Sequence, residues 1–451
     1  MSTEAKFSRR SLYKGIVSTV GAFGAGQFVR LVSSIILTRL LTPELFGIMT
    51  IVNSVRTGID LISDVGAGQN IVQNNNAEDP DFYNTAWTLK LIRGILLWIV
   101  CVAAAQPVAL FYDSSILNVV LPVAGLYFVF EGFTSISLYL MQKRLKIAEL
   151  NILGFVFELI PGVVLVVLAY FYRSIWALVV GLVIASAARM VTSFFLLGDI
   201  RLKFYISKQY ARQMLHFGKW IFFSSIVYFF SMNFDRLYLG KVAPFGLLGI
   251  YGVARSISGM MVALVSQLCG LIVFPYISSS SSRPKEELHA KLGSIRPKLL
   301  FVTALGLSAF AAVADVPVKI VYDPRYHAAA GMLPFLTLGV WFSIISNINE
   351  SVLLGYGRPQ YAAFGNVLKL GWLLVGLPAG YVWYGFYGVV LVVSASDLFR
   401  YIPVLIGQIR MRFSYGMQDA LMTFVMFGLF GFFVWLRWYL GLGIAFNNPI
   451  E

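Results

Sequence analysis

Charge is what this chain of 451 residues has least of. Asp, Glu, Lys and Arg make up 12% of it, against about 25% in an ordinary soluble domain. A water-soluble fold of that composition could not cover its own surface, so a soluble enzyme and a disordered chain are excluded. Cysteine is scarce as well. Cys101 and Cys269 both sit in apolar runs, which excludes a disulfide scaffold and offers no metal site. The three histidines, His216, His289 and His327, stand far apart without ligand spacing. No Gly-rich loop followed by Gly-Lys-Ser/Thr occurs, so ATP hydrolysis by that route is excluded. Asp79-Pro80-Asp81 has the form of a metal-binding Asp-x-Asp, but it lies in an Asn-rich stretch and is set aside. No Ser/His/Asp or Cys/His set is apparent. Nothing asks for a cofactor or a metal.

Apolar residues are what the chain has. They form 58% of it, about 262 residues. A membrane span needs ~20, so composition alone provides for about thirteen. The runs are long and solid rather than short and alternating, which excludes an outer-membrane barrel. The expected segments are 15–37, 45–66, 94–111, 116–140, 151–171, 174–197, 219–239, 247–276, 299–318, 329–354, 361–381, 385–405 and 417–440. The fold class is therefore an all-α polytopic membrane protein of 12–14 spans, 13 by this count. The basic start, Ser8-Arg9-Arg10-Ser11, superficially resembles a twin-arginine export signal; no small-residue cleavage site follows promptly, and it reads as an anchor before the first span.

The formal charge of +14 would suggest nucleic acid in a soluble protein. In a polytopic one it follows from Lys and Arg collecting in cytoplasmic loops, and no nucleic acid is expected. With the N-terminus in the cytoplasm, 22 basic residues fall on inner segments and 7 on outer ones. The inner set includes Lys90 and Arg93, assigned to a loop over 64–93. Thirteen spans put the C-terminus outside, and the last span is the weakest. The stretch 201–216, basic with interleaved aromatics, reads as an interfacial helix on anionic lipid.

An internal repeat organises the chain. Arg39-Leu-Leu-Thr-Pro-Glu-Leu-Phe-Gly47-Ile48 matches Lys241-Val-Ala-Pro-Phe-Gly-Leu-Leu-Gly249-Ile250 at a shift of 202 residues. Weaker matches at 211 and 214 support it. Six spans separate the copies, so they share one orientation, a transporter-type parallel repeat. The expected division is an N-terminal lobe 1–200, a basic linker 201–218, a C-terminal lobe 219–410, and an extra span and tail 411–451.

Ionisable groups inside spans carry the functional signal, because each costs ~2.5–3.5 kcal/mol against lipid. They are Arg30, Arg56, Asp60, Glu131, Glu158, Arg189, Arg255, Lys369 and Asp397, with Glu350 and Arg400 nearer span ends. Arg56 and Asp60 stand one turn apart and are expected to pair. Glu158 and Lys369 occupy corresponding repeat positions and are expected to meet. Arg30, Arg56, Arg189, Arg255 and Lys369 exceed what local pairing requires. A surplus of cations suits an anionic substrate, since guanidinium binds phosphate oxygens in a bidentate fork. Glycines at 21, 24, 26, 376 and 380 suit close helix approach. Tyr127, Trp220, Tyr228 and Trp341 are candidates for stacking on sugars, with helix packing the blander reading of each.

Arg39-Leu-Leu-Thr-Pro-Glu-Leu-Phe-Gly-Ile resembles the first-loop signature of polysaccharide flippases, the polysaccharide-transport branch of the MOP superfamily. Asn233-Phe-Asp235-Arg236 with Leu248-Gly-Ile-Tyr251 resembles that family's second-lobe start, and His216-Phe217-Gly218 the end of its linker. The resemblance covers roughly residues 10–410. It implies two six-helix lobes around a central cationic lumen, and 12 or 14 spans, from which 13 departs. It implies translocation of undecaprenyl-pyrophosphate-linked oligosaccharide across the bacterial inner membrane by alternating access, for exopolysaccharide, capsule or O-antigen export. A polysaccharide polymerase and copolymerase are candidate partners beside the lipid bilayer. Related lipid II flippases carry lumen arginines in spans one, two and eight, which Arg30, Arg56 and Arg255 match by span. Arg189 and Lys369 join them as pyrophosphate ligands. Glu131, Glu158, Asp397 and Asp60 are candidates for coupling to an ion gradient. The rivals are a multidrug exporter of the same superfamily, disfavoured by the surplus of Arg, and a membrane polymerase or ligase, which would want a large outer loop.

Overall fold

The computed structural model describes residues 9–63, 71–72, 74, 76–144, 146–197, 200–268 and 285–443. Cys269, residues 277–284, the tail beyond 443 and the side chains of Arg9, Arg10, Lys14, His216 and Trp220 lie outside that description. Among the described residues there are α-helices, one 3₁₀ turn and no strand. In chain order the helices are α1 (Arg9–Leu40), α2 (Pro43–Ile62), α3 (Pro80–Phe111), α4 (Leu117–Phe133), α5 (Ser137–Lys143), α6 (Ile147–Phe171), α7 (Ile175–Phe194), α8 (Lys208–Val242), α9 (Phe245–Leu268), α10 (Lys285–Val313), α11 (Asp315–Val321), α12 (Ala329–Gly355), α13 (Gln360–Arg410) and α14 (Gly416–Tyr439). Among the described residues, ten helices are long and apolar enough to cross a membrane, or eleven if the bent pair α4–α5 counts as one span. Two expected segments, 361–381 and 385–405, share α13, which breaks at Tyr384 and Gly385, where Gly385 takes φ +56°. The protein is a multi-pass membrane protein.

The chain forms two compact units. One gathers residues up to Leu41 with Ile48–Phe229; the other gathers Thr42–Gly47 with everything from Phe230 onward. The division at Phe229 falls inside α8.

In the first unit, glycines set the helix spacing. A Cβ on Gly94 would lie 2.4 Å from the carbonyl oxygen of Phe128, and one on Gly132 would lie 3.1 Å from the Cα of Gly94. α3 and α4 therefore touch along their backbones. On the other side, Gly162 of α6 sits against Ser33 of α1, and Gly26 of α1 against Glu158 of α6. α4 stops at Thr134 and the chain bends by 51° into α5. The Ser193 hydroxyl takes up the backbone N–H of Ser135 at 2.8 Å.

Two expectations about this unit change. Lys90 and Arg93 are not loop residues: α3 begins at Pro80 and carries both of them. Asp79 caps that helix, its side chain accepting the N–H of Asp81 at 3.0 Å, with Pro80 at the first helical position. This is a helix-start signal, not a metal motif. The expected interfacial helix also starts late. Residues 201–207 are non-helical. Their alternate N–H groups are taken by side chains of α3: Lys203 by Asn84 at 2.7 Å, Tyr205 by Thr88 at 3.1 Å and Ser207 by Thr85 at 2.9 Å.

In the second unit, α12 is the central helix and the most buried of the spans. Trp341 is 0% exposed and donates its indole N–H to Thr423 at 2.9 Å, so it packs the core and stacks on no sugar. The C-terminal span α14 is part of this core. Met426 packs with Leu300, Ala304 and Trp341, and Arg437 holds Asp315 at 2.5 and 2.9 Å. The 3₁₀ turn Pro324–Tyr326 is capped by Asp323, whose carboxyl is held below the usual carboxylate range by its hydrogen bond from Arg325.

The two copies of the repeated motif lie against each other in this unit. A Cβ on Gly47 would fall 1.9 Å from the carbonyl oxygen of Phe245, and one on Gly249 would fall 2.0 Å from that of Pro43. The same 202-residue shift relates both partners, so the contact is pseudo-symmetric. Gly249→Ala is expected to lower stability by about 1–3 kcal/mol, the cost of overpacking a tight contact. Gly306→Ala, whose Cβ meets nothing within 4 Å, is expected to be neutral or mildly stabilising. Thermal melting of the purified protein in detergent measures both; equal melting temperatures for the two variants would contradict the contact.

Candidate functional site

The interior charges of the first unit form one cluster. Arg56 and Asp60 stand one turn apart on α2, Lys90 and Arg93 three residues apart on α3, Tyr127 and Glu131 one turn apart on α4, and Arg189 on α7. The backbone contact at Gly94 and Gly132 brings α3 and α4 together at this level. Lys90 Nζ reaches Glu131 Oε1 at 3.4 Å and also donates to the Thr134 carbonyl at 3.2 Å. Arg93 Nη2 donates to Asp60 Oδ1 at 2.7 Å and to the Ser63 hydroxyl at 2.9 Å. Arg189 lies 4.0 Å from Glu131 Oε2 and over the ring of Phe157. Arg30 on α1 pairs with Glu158 on α6 at 2.6 Å, and both remain about half exposed.

Arg56 differs from the others. Its guanidinium rests on the face of Tyr127, 4.2 Å from the ring centroid. No carboxylate pairs with it among the described residues, and its buried Nε has no hydrogen-bond partner. The Nε of Arg189 is equally unpartnered. The expected Arg56–Asp60 pair does not form, because Arg93 takes Asp60 in a geometry that also satisfies Ser63. Of the other expected pair, Glu158 binds Arg30 and Lys369 binds Asp397, each within its own unit.

The second unit balances its charges. Arg255 lies 3.5 Å from Asp235, which also accepts the Tyr251 hydroxyl at 2.5 Å. Lys369 is 2% exposed and donates to Asp397 at 2.9 Å. Asp397 further accepts from Ser343 and has Arg400 at 3.9 Å. Arg400 binds Glu350, and Arg296 binds Asp419. With Arg437 on Asp315, five interior cations each have a carboxylate, and half-buried Arg236, which hydrogen-bonds Asn233, is a sixth beside Asp235. In the first unit five cations, Arg30, Arg56, Lys90, Arg93 and Arg189, face three, Glu158, Asp60 and Glu131. Among the described residues the larger interior surplus of positive charge belongs to the first unit. What that unit can do chemically is hold an anion, with Arg56 as a cation that no acid among the described residues neutralises.

Of the residues singled out from sequence, Arg56, Asp60, Glu131 and Arg189 come together; Arg30 and Glu158 form a separate pair beside them. Arg255, Lys369 and Asp397 are paired within the second unit. Sequence reasoning missed Lys90, Arg93 and Asp235. Asp235 stood in a quoted motif, within an expected span, and was not counted among the interior charges.

Comparison with known proteins bears on what this frame is for. The model of a family described as polysaccharide biosynthesis protein matches residues 36–331. The chain belongs to that family. Among its relatives is the teichuronic acid biosynthesis protein TuaB of Bacillus subtilis, 21% identical over 67% of this chain; the match spans 63% of TuaB's length. Among solved structures, the lipid II flippase MurJ in an inward closed conformation superimposes with a TM-score of 0.73 at 13% identity, covering 94% of this chain and 93% of that one. An inward-facing multidrug resistance MATE transporter of the MOP superfamily gives 0.67 at 12% identity, covering 86% and 94%. The polysaccharide biosynthesis family thus has, in this member, the fold of MOP-superfamily transporters.

Proposed function

We propose that the protein translocates undecaprenyl-pyrophosphate-linked oligosaccharide units across the bacterial inner membrane by alternating access, serving exopolysaccharide, capsule or O-antigen export. The observation that carries this reading is the unbalanced charge of the first unit, with Arg56 held on Tyr127 and paired with no acid among the described residues. A pyrophosphate brings roughly two or three negative charges, and charge-assisted hydrogen bonds to guanidinium stabilise it where water is scarce. Arg56 and Arg189 are the ligands this reading puts first, with Arg30 beside them. Arg255 and Lys369 fit it less well, since Asp235 and Asp397 already neutralise them. The N-terminus lies in the cytoplasm on this reading, from the distribution of Lys and Arg.

The carboxylates read from sequence as ion carriers, Glu131, Glu158, Asp397 and Asp60, each have a cationic partner. We take them as charge partners. A multidrug exporter shares the fold, but its mostly cationic substrates would meet a positive cluster. The test is a leaflet-accessibility assay in proteoliposomes of the full chain. Transfer of a fluorescent undecaprenyl-pyrophosphate-linked oligosaccharide, with no transfer of an organic cation such as ethidium, is expected. The reverse pattern would overturn the reading.

A further inference from the structure

Two side chains on α3 have no place in the proposed binding step, yet they occupy the centre of its cluster. Lys90 is nearly buried, and it stands between Glu131 and the C-terminal carbonyl of α4. Arg93 holds Asp60 and the last turn of α2 through Ser63. Both carboxylates have an alternative partner close by. Arg56 is one helical turn from Asp60, a spacing that lets a carboxylate and a guanidinium pair. Arg189 already lies 4.0 Å from Glu131. An unmasked Asp60 or Glu131 would therefore be drawn to the arginines that the substrate needs, because an uncompensated charge in a low-dielectric interior takes whatever counter-charge it can reach.

We infer that Lys90 and Arg93 are positioning residues that mask Glu131 and Asp60, and so keep Arg56 and Arg189 available to a pyrophosphate. They touch no substrate. They set the net charge that the substrate meets, and the inference rests on the function proposed above. Three features of the cluster support it. Each masking pair is shorter than any contact between a carboxylate of the cluster and Arg56 or Arg189: 2.7 Å for Arg93–Asp60 and 3.4 Å for Lys90–Glu131, against 4.0 Å for Arg189–Glu131. The masking cations sit on one helix, α3, whose distance from α4 is fixed by the glycine contact at Gly94 and Gly132. Within the cluster, the arginines left over, Arg56 and Arg189, are the ones whose buried Nε has no partner among the described residues. Masking explains why a helix that needs apolar residues against lipid carries two cations.

The inference separates from a purely structural role by double substitution. If Lys90 only ties α3 to α4, losing the pair should hurt whether or not Glu131 remains. If it masks Glu131, removing the acid as well should restore the site. The probe is undecaprenyl pyrophosphate binding to the purified full-length protein in nanodiscs. Lys90→Met is expected to raise Kd by roughly tenfold or more, the worth of one charge-assisted hydrogen bond. Lys90→Met with Glu131→Gln is expected to return it to within about threefold of the parent protein, inside the range of one lost neutral contact. Lys90→Arg keeps the charge and should bind like the parent. Arg93→Gln, with and without Asp60→Asn, repeats the test on the second pair should the first variant fail to fold.

Unchanged affinity in Lys90→Met would overturn the masking role. So would a double variant as weak as the single one, which would make the pair structural or give Glu131 a function of its own. Failure of the underlying reading looks different. There Arg56→Gln binds the probe like the parent, whatever the Lys90 variants do.

Discussion

Replacing Arg56 by glutamate is expected to abolish glycan translocation while leaving the protein inserted. The substitution removes a cation that no acid among the described residues neutralises and puts a negative charge where the pyrophosphate would bind. Loss of a charge-assisted bond is worth about 1.5–3 kcal/mol, and like-charge repulsion adds to it, so a fall of roughly a hundredfold or more is expected. Arg56→Lys should lie between, because an ammonium keeps the charge but loses the planar fork and its stacking on Tyr127. Insertion should survive, since no ion pair of the fold is broken. Translocation in proteoliposomes, beside the yield of monodisperse protein, checks both halves. Full translocation by Arg56→Glu would remove Arg56 from the site.

The second large effect is on stability, and it comes from the balanced unit. Asp397 is the buried anion that Lys369, Ser343 and Arg400 share. Asp397→Asn leaves the Lys369 ammonium 2% exposed with no counter-charge. Removing one partner of such a pair costs about 3–5 kcal/mol. Lys369→Met should cost less, because Asp397 keeps Arg400 and the Ser343 hydroxyl. The expected order of melting temperature is therefore parent, Lys369→Met, then Asp397→Asn. If Asp397→Asn melts like the parent but loses transport, Asp397 serves transport rather than packing.

These two residues show what the sequence could reveal. Both stand out as ions in apolar runs, and the cost of such ions in lipid makes any of them conspicuous. Their opposite roles were not legible. Whether a cation is neutralised depends on which acid a neighbouring helix brings up, and no spacing along the chain encodes that. Asp60, one turn from Arg56, is the case in point: the local pair is available, and Arg93 from another helix takes the carboxylate instead. Lys90 and Arg93 were hidden for a different reason. The apolar run of α3 starts at Gly94, so a hydropathy reading assigns the preceding residues to a loop. The helix start was nonetheless written in Asp79-Pro80-Asp81, a cap followed by proline. The extended stretch 201–207 was misread as helix because its aromatic and basic pattern suits an amphipathic helix. The acceptors that hold it open, Asn84, Thr85 and Thr88, lie over a hundred residues away. The repeated motif, by contrast, was visible, with glycine at 47 and 249 in both copies; that the two copies pack on each other, and so need those glycines, was not.

The account comes down to an anion being held by the surplus cations of the first unit. The most direct measurement is the ratio of affinities of the full-length protein for undecaprenyl pyrophosphate and for undecaprenol, which share a tail and differ in the charged head. The account predicts that undecaprenyl pyrophosphate binds at least about tenfold more tightly, by one or more charge-assisted bonds, and that Arg56→Gln erases most of that preference. Equal affinity for the two lipids, or a preference that Arg56→Gln leaves intact, would contradict it.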